Sequence, residues 1–178
     1  KGDSVQSEMK KGEHLSLEND LIRYEFDNNG QLVSAFDKDA KKGVLSGTGN
    51  VLSLYEDRPN DWDAWDVDFY YRDALMETAI ASNAVPGSTG DVVRELKFSL
   101  LVGNSKIEQT VSLNPNSKRL DFYTSIDWKE KHKMLRVHFP VNVRSEQASF
   151  DIQYGHVKRN THRNTSWDKA KFEAVGHK

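Results

Sequence analysis

The chain has 178 residues, enough for one domain with a sizeable core, and its 37% hydrophobic and 29% charged residues exclude a disordered polymer. It contains no cysteine, which excludes disulfides and thiolate metal sites. A net charge of −2 conceals an asymmetry, because residues 1–90 carry 9 basic and 17 acidic side chains while residues 91–178 carry 16 and 10.

In chain order, residues 1–14 read as an extension or linker and residues 15–178 as one domain. Ile22, Tyr24 and Phe26 fall on one side and Arg23, Glu25 and Asp27 on the other, the period-two pattern of a half-buried strand. Asn28-Asn29-Gly30 supplies a hairpin turn before the pattern resumes over Leu32–Phe36. Val51–Tyr55 is the next expected strand. Residues 56–73, EDRPNDWDAWDVDFYYRD, break the alternation, and Ser82–Gly90, with Pro86, Gly87 and Gly90, reads as an exposed loop. Further strands are expected over Val92–Val102, Lys106–Leu113, Leu120–Trp128, Met134–Val143 and Ala148–Tyr154. An irregular stretch, 155–168 (GHVKRNTHRNTSWD), then precedes a last strand over Lys171–Val175. Helical periodicity is sustained nowhere. Many short strands joined by polar turns such as Gly103-Asn104 and Asn114-Pro115-Asn116-Ser117 predict an all-β fold, an antiparallel β-sandwich. The start on Lys1 and the stop just after a strand-like stretch give the expectation of an excised, incomplete piece.

Partner classes narrow in the same way. A pI near 6.3 without a basic stripe gives no reason to expect nucleic acid. No stretch reaches the roughly 18 apolar residues of a membrane span, so no membrane partner is expected.

Chemistry gathers in the two irregular stretches, where loops on a rigid scaffold commonly carry binding groups. In the first, Asp61, Asp63, Asp66 and Asp68 alternate with Trp62, Trp65, Phe69, Tyr70 and Tyr71. Carboxylates accept from sugar hydroxyls and an indole packs on the apolar face of a pyranose, so this mixture fits a carbohydrate site. The alternative is that Trp62 and Trp65 anchor the loop while the aspartates solvate its rim. A calcium loop would need a central Gly and a terminal Glu that are missing. In the second stretch His156, His162, Asn164, Thr165, Ser166, Trp167 and Asp168 form a polar and aromatic group. The histidine spacing matches no compact zinc motif, and Ser166 lacks a nucleophile elbow. Asn164-Thr165-Ser166 is formally a glycosylation sequon. The substrate-binding candidates are Asp63, Trp65, Asp66, His162, Asn164 and Trp167, with a loop-fixing hydrogen-bond network as the competing reading of the second group.

The strings LENDLIRYEFDNNGQLVSAFDKDA, GNVLSLYEDRPNDWDAWDVDFYY, RLDFYTSIDW, HFPVNV and IQYGHVKRNTHRNTSWDKAKFE, in this order, resemble the C-terminal region of glycoside hydrolase family 38 α-mannosidases, of the bacterial and cytosolic type. The resemblance implies a galactose-mutarotase-like supersandwich from a retaining, exo-acting, zinc-dependent enzyme. It places the zinc and the catalytic aspartate in an N-terminal barrel outside this chain, so no catalytic or metal residue is expected within it. The implied partners are that barrel, a helical bundle of the same polypeptide and a terminal α-mannoside or manno-oligosaccharide, and the implied compartment is the cytoplasm. It also implies that the family's sandwich extends past this chain, leaving sheet edges without their native neighbours. A free-standing carbohydrate-binding module is the main alternative. A mutarotase-like epimerase rests on fold analogy alone.

Overall fold

A computed structural model describes residues 15–62, 67–89 and 93–174. They divide into two compact units that meet in sequence between Asn142 and Val143.

The first unit contains three antiparallel sheets. One is built from β1 (Leu15–Glu18), β2 (Ile22–Phe26), β3 (Leu32–Asp37) and the two-residue β4 (Lys42–Gly43), in that order. Its first hairpin turns where the sequence predicts. The Asp27 carboxylate accepts from the backbone N–H groups of Asn29 and Gln31, both at 2.9 Å, and Gly30 takes a φ of +74°, which only glycine adopts freely. A β-carbon at Gly30 would lie 3.1 Å from the Phe98 ring, so this turn is pressed onto the opposite layer.

That opposite layer runs β7 (Ile80–Thr89), β8 (Arg94–Val102), β9 (Ser105–Leu113) and β10 (Leu120–Asp127), each paired with the next. Alternation is clearest in β8 and β9, where Leu96, Phe98, Leu100, Val102, Ile107, Val111 and Leu113 are all buried. They pack with Leu17, Ile22, Tyr24, Phe26 and Leu32 of the first sheet in one cluster, and the Phe26 and Phe98 rings lie 5.7 Å apart. A third sheet, β11 (Lys133–His138), β5 (Val51–Glu56) and β6 (Leu75–Thr78), adds Leu52 and Leu54 to the same core.

The second unit holds the hairpin of β12 (Gln147–Ile152) with β13 (Gly155–Asn160), followed by one short helix, α1 (Ser166–Ala170). An all-β sandwich is therefore the architecture, with every strand pairing antiparallel.

Three local expectations fail for identifiable reasons. Ser82–Gly90 is not a loop: it is strand as far as Thr89, and Gly90 lies outside the described residues. Pro86 is tolerated because β7 is an edge strand, whose register slips between Ala81 and Asn83 and again between Pro86 and Thr89. Residues 155–160 are also strand, and the turn that makes the hairpin is Gln153-Tyr154, with Tyr154 at φ +64°, in place of the glycine or asparagine that such turns favour. Conversely, Lys171–Glu173 is not strand, because the chain is leaving α1 there.

One buried polar contact fixes how the layers meet. Asn50 Nδ2 donates to the Gly30 carbonyl at 2.8 Å and to Gln109 Oε1 at 2.7 Å, and Gln109 Nε2 donates to Thr124 Oγ1 at 3.1 Å. Asn50→Ala removes the donor to the Gly30 carbonyl and to Gln109 Oε1, each at a cost of about 1–3 kcal/mol. Urea unfolding of the variant is expected to show a lowered midpoint with an unchanged slope, and an unchanged midpoint would refute this role.

Candidate functional site

Each irregular stretch sits in a different unit, so each is built separately. In the first, β5 leads into residues 57–68 and the chain returns through a 3₁₀ turn over Phe69–Asp73. Tyr71 is the anchor of this return. It is buried, its ring meets that of Tyr55 edge-on at 5.3 Å, and the Arg136 guanidinium stands 4.9 Å above its centroid. Tyr55 in turn places its hydroxyl 3.2 Å from His138 Nε2. Alternation in β5 makes this possible, since Leu52 and Leu54 point to the core while Ser53 and Tyr55 point to the outer face that the 3₁₀ turn covers.

Asp68 closes the loop. Its Oδ2 accepts from the Asn60 backbone N–H at 2.9 Å and from the Tyr70 hydroxyl at 2.7 Å, and that hydroxyl also reaches the Arg58 carbonyl at 3.2 Å. The Tyr70 hydroxyl, and then the Asn60 N–H, hold the Asp68 carboxyl below its ordinary range, while the same contact raises Tyr70. This carboxylate is thus engaged inside its own loop, which is neither the sugar contact nor the solvated rim expected of the acidic residues. Trp62 does not anchor the loop: it is 74% exposed, with a left-handed φ of +63°. Phe69 and Tyr70 are exposed beside each other, with ring centroids 5.9 Å apart. Asp63, Trp65 and Asp66 lie outside the described residues.

In the second stretch, Thr165 caps α1. Its Oγ1 accepts from the Asp168 N–H at 3.1 Å and donates to Asp168 Oδ2 at 2.7 Å, a side-chain N-cap reinforced by a hydroxyl–carboxylate bond. Asp168 is the centre of the group: His162 Nδ1 lies 3.5 Å from its Oδ2 and Asn160 Nδ2 3.5 Å from its Oδ1. The Thr165 hydroxyl is the largest cause holding the Asp168 carboxyl below its usual range. Arg163 braces the far side by donating to the Phe172 carbonyl at 2.9 Å. His162 therefore belongs to the loop network, and Asn164 sits beside it with its N–H 3.5 Å from the His162 ring nitrogen. Trp167 stands apart from these bonds at 80% exposure. Asp168 and Thr165, which organise the segment, were absent from the substrate-binding candidates, although the Thr-x-x-Asp spacing announces the cap.

Among the described residues no three His, Asp or Glu side chains gather into a set that could hold a metal ion. The paired His162 and Asp168 do not amount to a zinc site, which needs three protein ligands even when open to substrate. Ser166 makes no triad, since Thr165 rather than Ser166 holds the Asp168 carboxylate. Two open clefts of the first unit are lined by residues of neither stretch. One, of about 420 Å³, is lined by Glu18, Lys38, Arg94 and Asn116 among others, and its charges are already engaged, with Lys38 2.6 Å from Glu18 and Arg94 donating to the Glu18 carbonyl. The other, of about 480 Å³, lies over Glu95, Lys97, Asp121 and Tyr123 on the outer face of β8–β10.

These features define an antiparallel β-sandwich domain whose irregular stretches are fixed from within and present exposed aromatic rings. The chain belongs to the glycosyl hydrolases family 38 C-terminal domain family, whose profile matches residues 17–178. It is 37% identical to human alpha-mannosidase 2C1 over 168 residues, and 37% identical to alpha-mannosidase G of Dictyostelium discoideum over 172. Each match covers 92% of this chain and 16% of the relative. An alpha-mannosidase of Saccharomyces cerevisiae is 33% identical over 79% of this chain and 14% of its own length. The chain thus spans about one sixth of the curated relatives it matches.

Because the Asp168 carboxyl is held below its ordinary range, its contribution to the 160–170 segment is full at neutral pH and is lost as pH falls through that lowered value. Hydrogen exchange of residues 161–170 is expected to stay protected at pH 5 and to open only under stronger acidity. Thr165→Ala, which removes the largest cause of the shift and about 1 kcal/mol of capping, is expected to move that opening to higher pH. Opening of the unsubstituted chain already at pH 5 would contradict the network.

Proposed function

We propose that this chain is an accessory β-sandwich of an α-mannosidase, a glycoside hydrolase acting on terminal α-mannosides. In this reading it supports the catalytic part of a longer polypeptide and lends its two irregular stretches to the rim of the substrate site. The observation that carries the reading is the family match over residues 17–178, together with relatives named alpha-mannosidase along 92% of the chain. The hydrolytic machinery, a barrel with its zinc and nucleophile, belongs in this proposal to the part of the polypeptide outside these residues. The described residues supply no metal set through which a step could be written.

Within the proposal, the residues of this chain bind and orient. Trp167 and Trp62, both exposed, offer faces on which a pyranose stacks. Asp68 and Asp168 act as positioning residues, because their carboxylates are occupied by loop bonds. His162, Asn164, Asp63, Trp65 and Asp66 remain the candidates for polar and stacking contact with sugar.

The test uses the full-length enzyme and an aryl α-mannoside. Alanine at Asp63, Asp66, His162 or Trp167 is expected to lower kcat/KM about tenfold or more at one or both loops, equivalent to ~1.4 kcal/mol of transition-state binding. Trp167→Ala is the most informative variant, since so exposed a side chain carries little packing and a kinetic loss then reports contact. Unchanged kinetics for all four, with the fold intact, would reduce both stretches to structural loops. The 178-residue chain alone is expected to turn over no α-mannoside. Saturable binding of mannose to it in calorimetry would favour a carbohydrate-binding module instead.

A further inference from the structure

A two-residue hairpin turn leaves its own backbone N–H groups outside the strand ladder, and in the β8–β9 hairpin both are met by carboxylates from distant parts of the first unit. The turn is Gly103-Asn104, between the paired Val102 and Ser105. Glu77 of β6 accepts from the Gly103 N–H through Oε1. Glu130, in the connection between β10 and β11, accepts from the Asn104 N–H at 2.5 Å and from the Ser105 hydroxyl at 3.4 Å. Ser105 in turn accepts from the Lys129 N–H at 2.9 Å, so this connection grips the hairpin twice. Gly103 takes a φ of +56°, and a β-carbon there would fall 2.5 Å from Glu130 Oε1, so a side chain at this position would push the carboxylate off the turn. Among the described residues Glu130 is the one acidic or basic residue that is buried. Its ion pair with Lys133, and then the Asn104 N–H, hold its carboxyl below the ordinary range.

The two carboxylates stand next to the two feet of the first irregular stretch. The stretch leaves β5 at Asp57, whose N–H donates to the His132 carbonyl at 2.8 Å, two residues past Glu130. It returns at Ala74, whose carbonyl accepts from the Glu56 N–H at 3.0 Å, three residues before Glu77. We infer that the Gly103-Asn104 turn is the anchor that places residues 57–73, fixing the departing foot through Glu130 and the returning foot through Glu77. Both glutamates are positioning residues, and their effect on turnover rests on the reading of this stretch as part of the substrate rim. An ionised carboxylate on a backbone N–H makes a charge-assisted bond, shorter and stronger than a neutral one. The anchor is also well chosen mechanically, because Val102 and Ser105 at the base of the turn are each 1% exposed, and strands of a buried core are the last to open. Tyr71 presses the return onto Tyr55 of β5; the two carboxylates set where the ends of the stretch stand.

Hydrogen exchange and kinetics of the full-length polypeptide test the anchor together. In Glu130→Ala the hydrogen-bonded amides of Asp57, Asn60, Tyr71 and Ala74 are expected to exchange about tenfold faster, while those of β2 and β3 exchange as before. KM for an aryl α-mannoside is expected to rise about threefold or more with kcat unchanged. Glu130→Gln, which keeps an oxygen for the Asn104 N–H, is expected to recover most of both effects, and Glu130→Met, of similar length without that acceptor, to recover neither. Glu77→Ala removes an exposed side chain and is expected to speed exchange at Tyr71 and Ala74, so the anchor stays testable even where a Glu130 variant fails to fold. Unchanged exchange at these amides would overturn the inference. So would an even rise over every sheet, or recovery by Met equal to that by Gln. Faster exchange at the four amides with KM unchanged would instead count against the rim reading of this stretch and leave the anchor standing.

Discussion

Asn50 and Gln109 form a buried amide pair at the point where all three sheets of the first unit meet, and the placement of everything around them follows from its geometry. Asn50 opens β5, holds the carbonyl of Gly30 in the first hairpin turn, and reaches across the core to β9, from which Gln109 extends the chain of bonds to Thr124 on β10. Its backbone sits at φ +51°, a left-handed conformation that asparagine tolerates better than most residues. A polar pair of this kind constrains register more than it adds stability. A one-residue slip of β9 would carry Gln109 to the outer face and strand Asn50 in an apolar interior. With register fixed, β5 is committed to showing Leu52 and Leu54 to the core and Tyr55 to the opposite face, and Tyr55 is where the 57–73 segment finds its hold.

The two irregular stretches solve the same problem by different local chemistry. A long connection must satisfy its own backbone groups while keeping side chains available. The first does so with a buried tyrosine clamped between Tyr55 and Arg136 and with the Asp68 carboxylate spanning from Asn60 to Tyr70. The second uses a threonine cap and the Asp168 carboxylate. In both, one acidic residue is spent on holding the loop and an indole is left in water. Labour is therefore divided within each stretch: Asp68 and Asp168 hold their segments, while the indoles of Trp62 and Trp167 stand in solvent.

Much of the fold was legible because strand periodicity reports a half-buried sheet directly. Ile22–Phe26 and the pair β8–β9 alternate in sequence as they do in burial, whereas Leu32–Phe36 buries Leu32 and Ala35 and Leu52–Tyr55 is buried throughout. The pattern fails where burial is absent. β13 carries Val157 as its single large apolar side chain, and β7 contains Pro86 and Gly87, so both read as loops although backbone pairing makes them strands. Helix α1 is only five residues long, too short to show a 3.6-residue period, and its Thr-x-x-Asp cap was the one available signal. At the candidate sites, composition marked the two irregular stretches but could not separate the side chains that hold them from those left in solvent. That distinction depends on which carboxylate a backbone N–H or a hydroxyl of its own segment reaches, a matter of tertiary placement. The role of Tyr71 was invisible for the same reason, since its partners Tyr55 and Arg136 lie 16 and 65 positions away in sequence.

Charge completes the physical description of the surface. Within the first unit, acidic side chains of the first half of the chain meet a basic one of the second. The Ala40 N–H, and then Lys118 at 2.9 Å, hold the Asp37 carboxyl below its ordinary range, while Asp39 at 2.7 Å and then Asp37 raise Lys118. Glu18 is likewise taken up by Lys38, and Glu108 by Ser99 and Lys106. Local neutralisation of this sort leaves little long-range potential for steering an ion. What the irregular stretches then offer a ligand is aromatic surface and short-range hydrogen bonding. Stacking and hydroxyl geometry on such a surface are what the proposed place at the rim of a mannoside site would draw on.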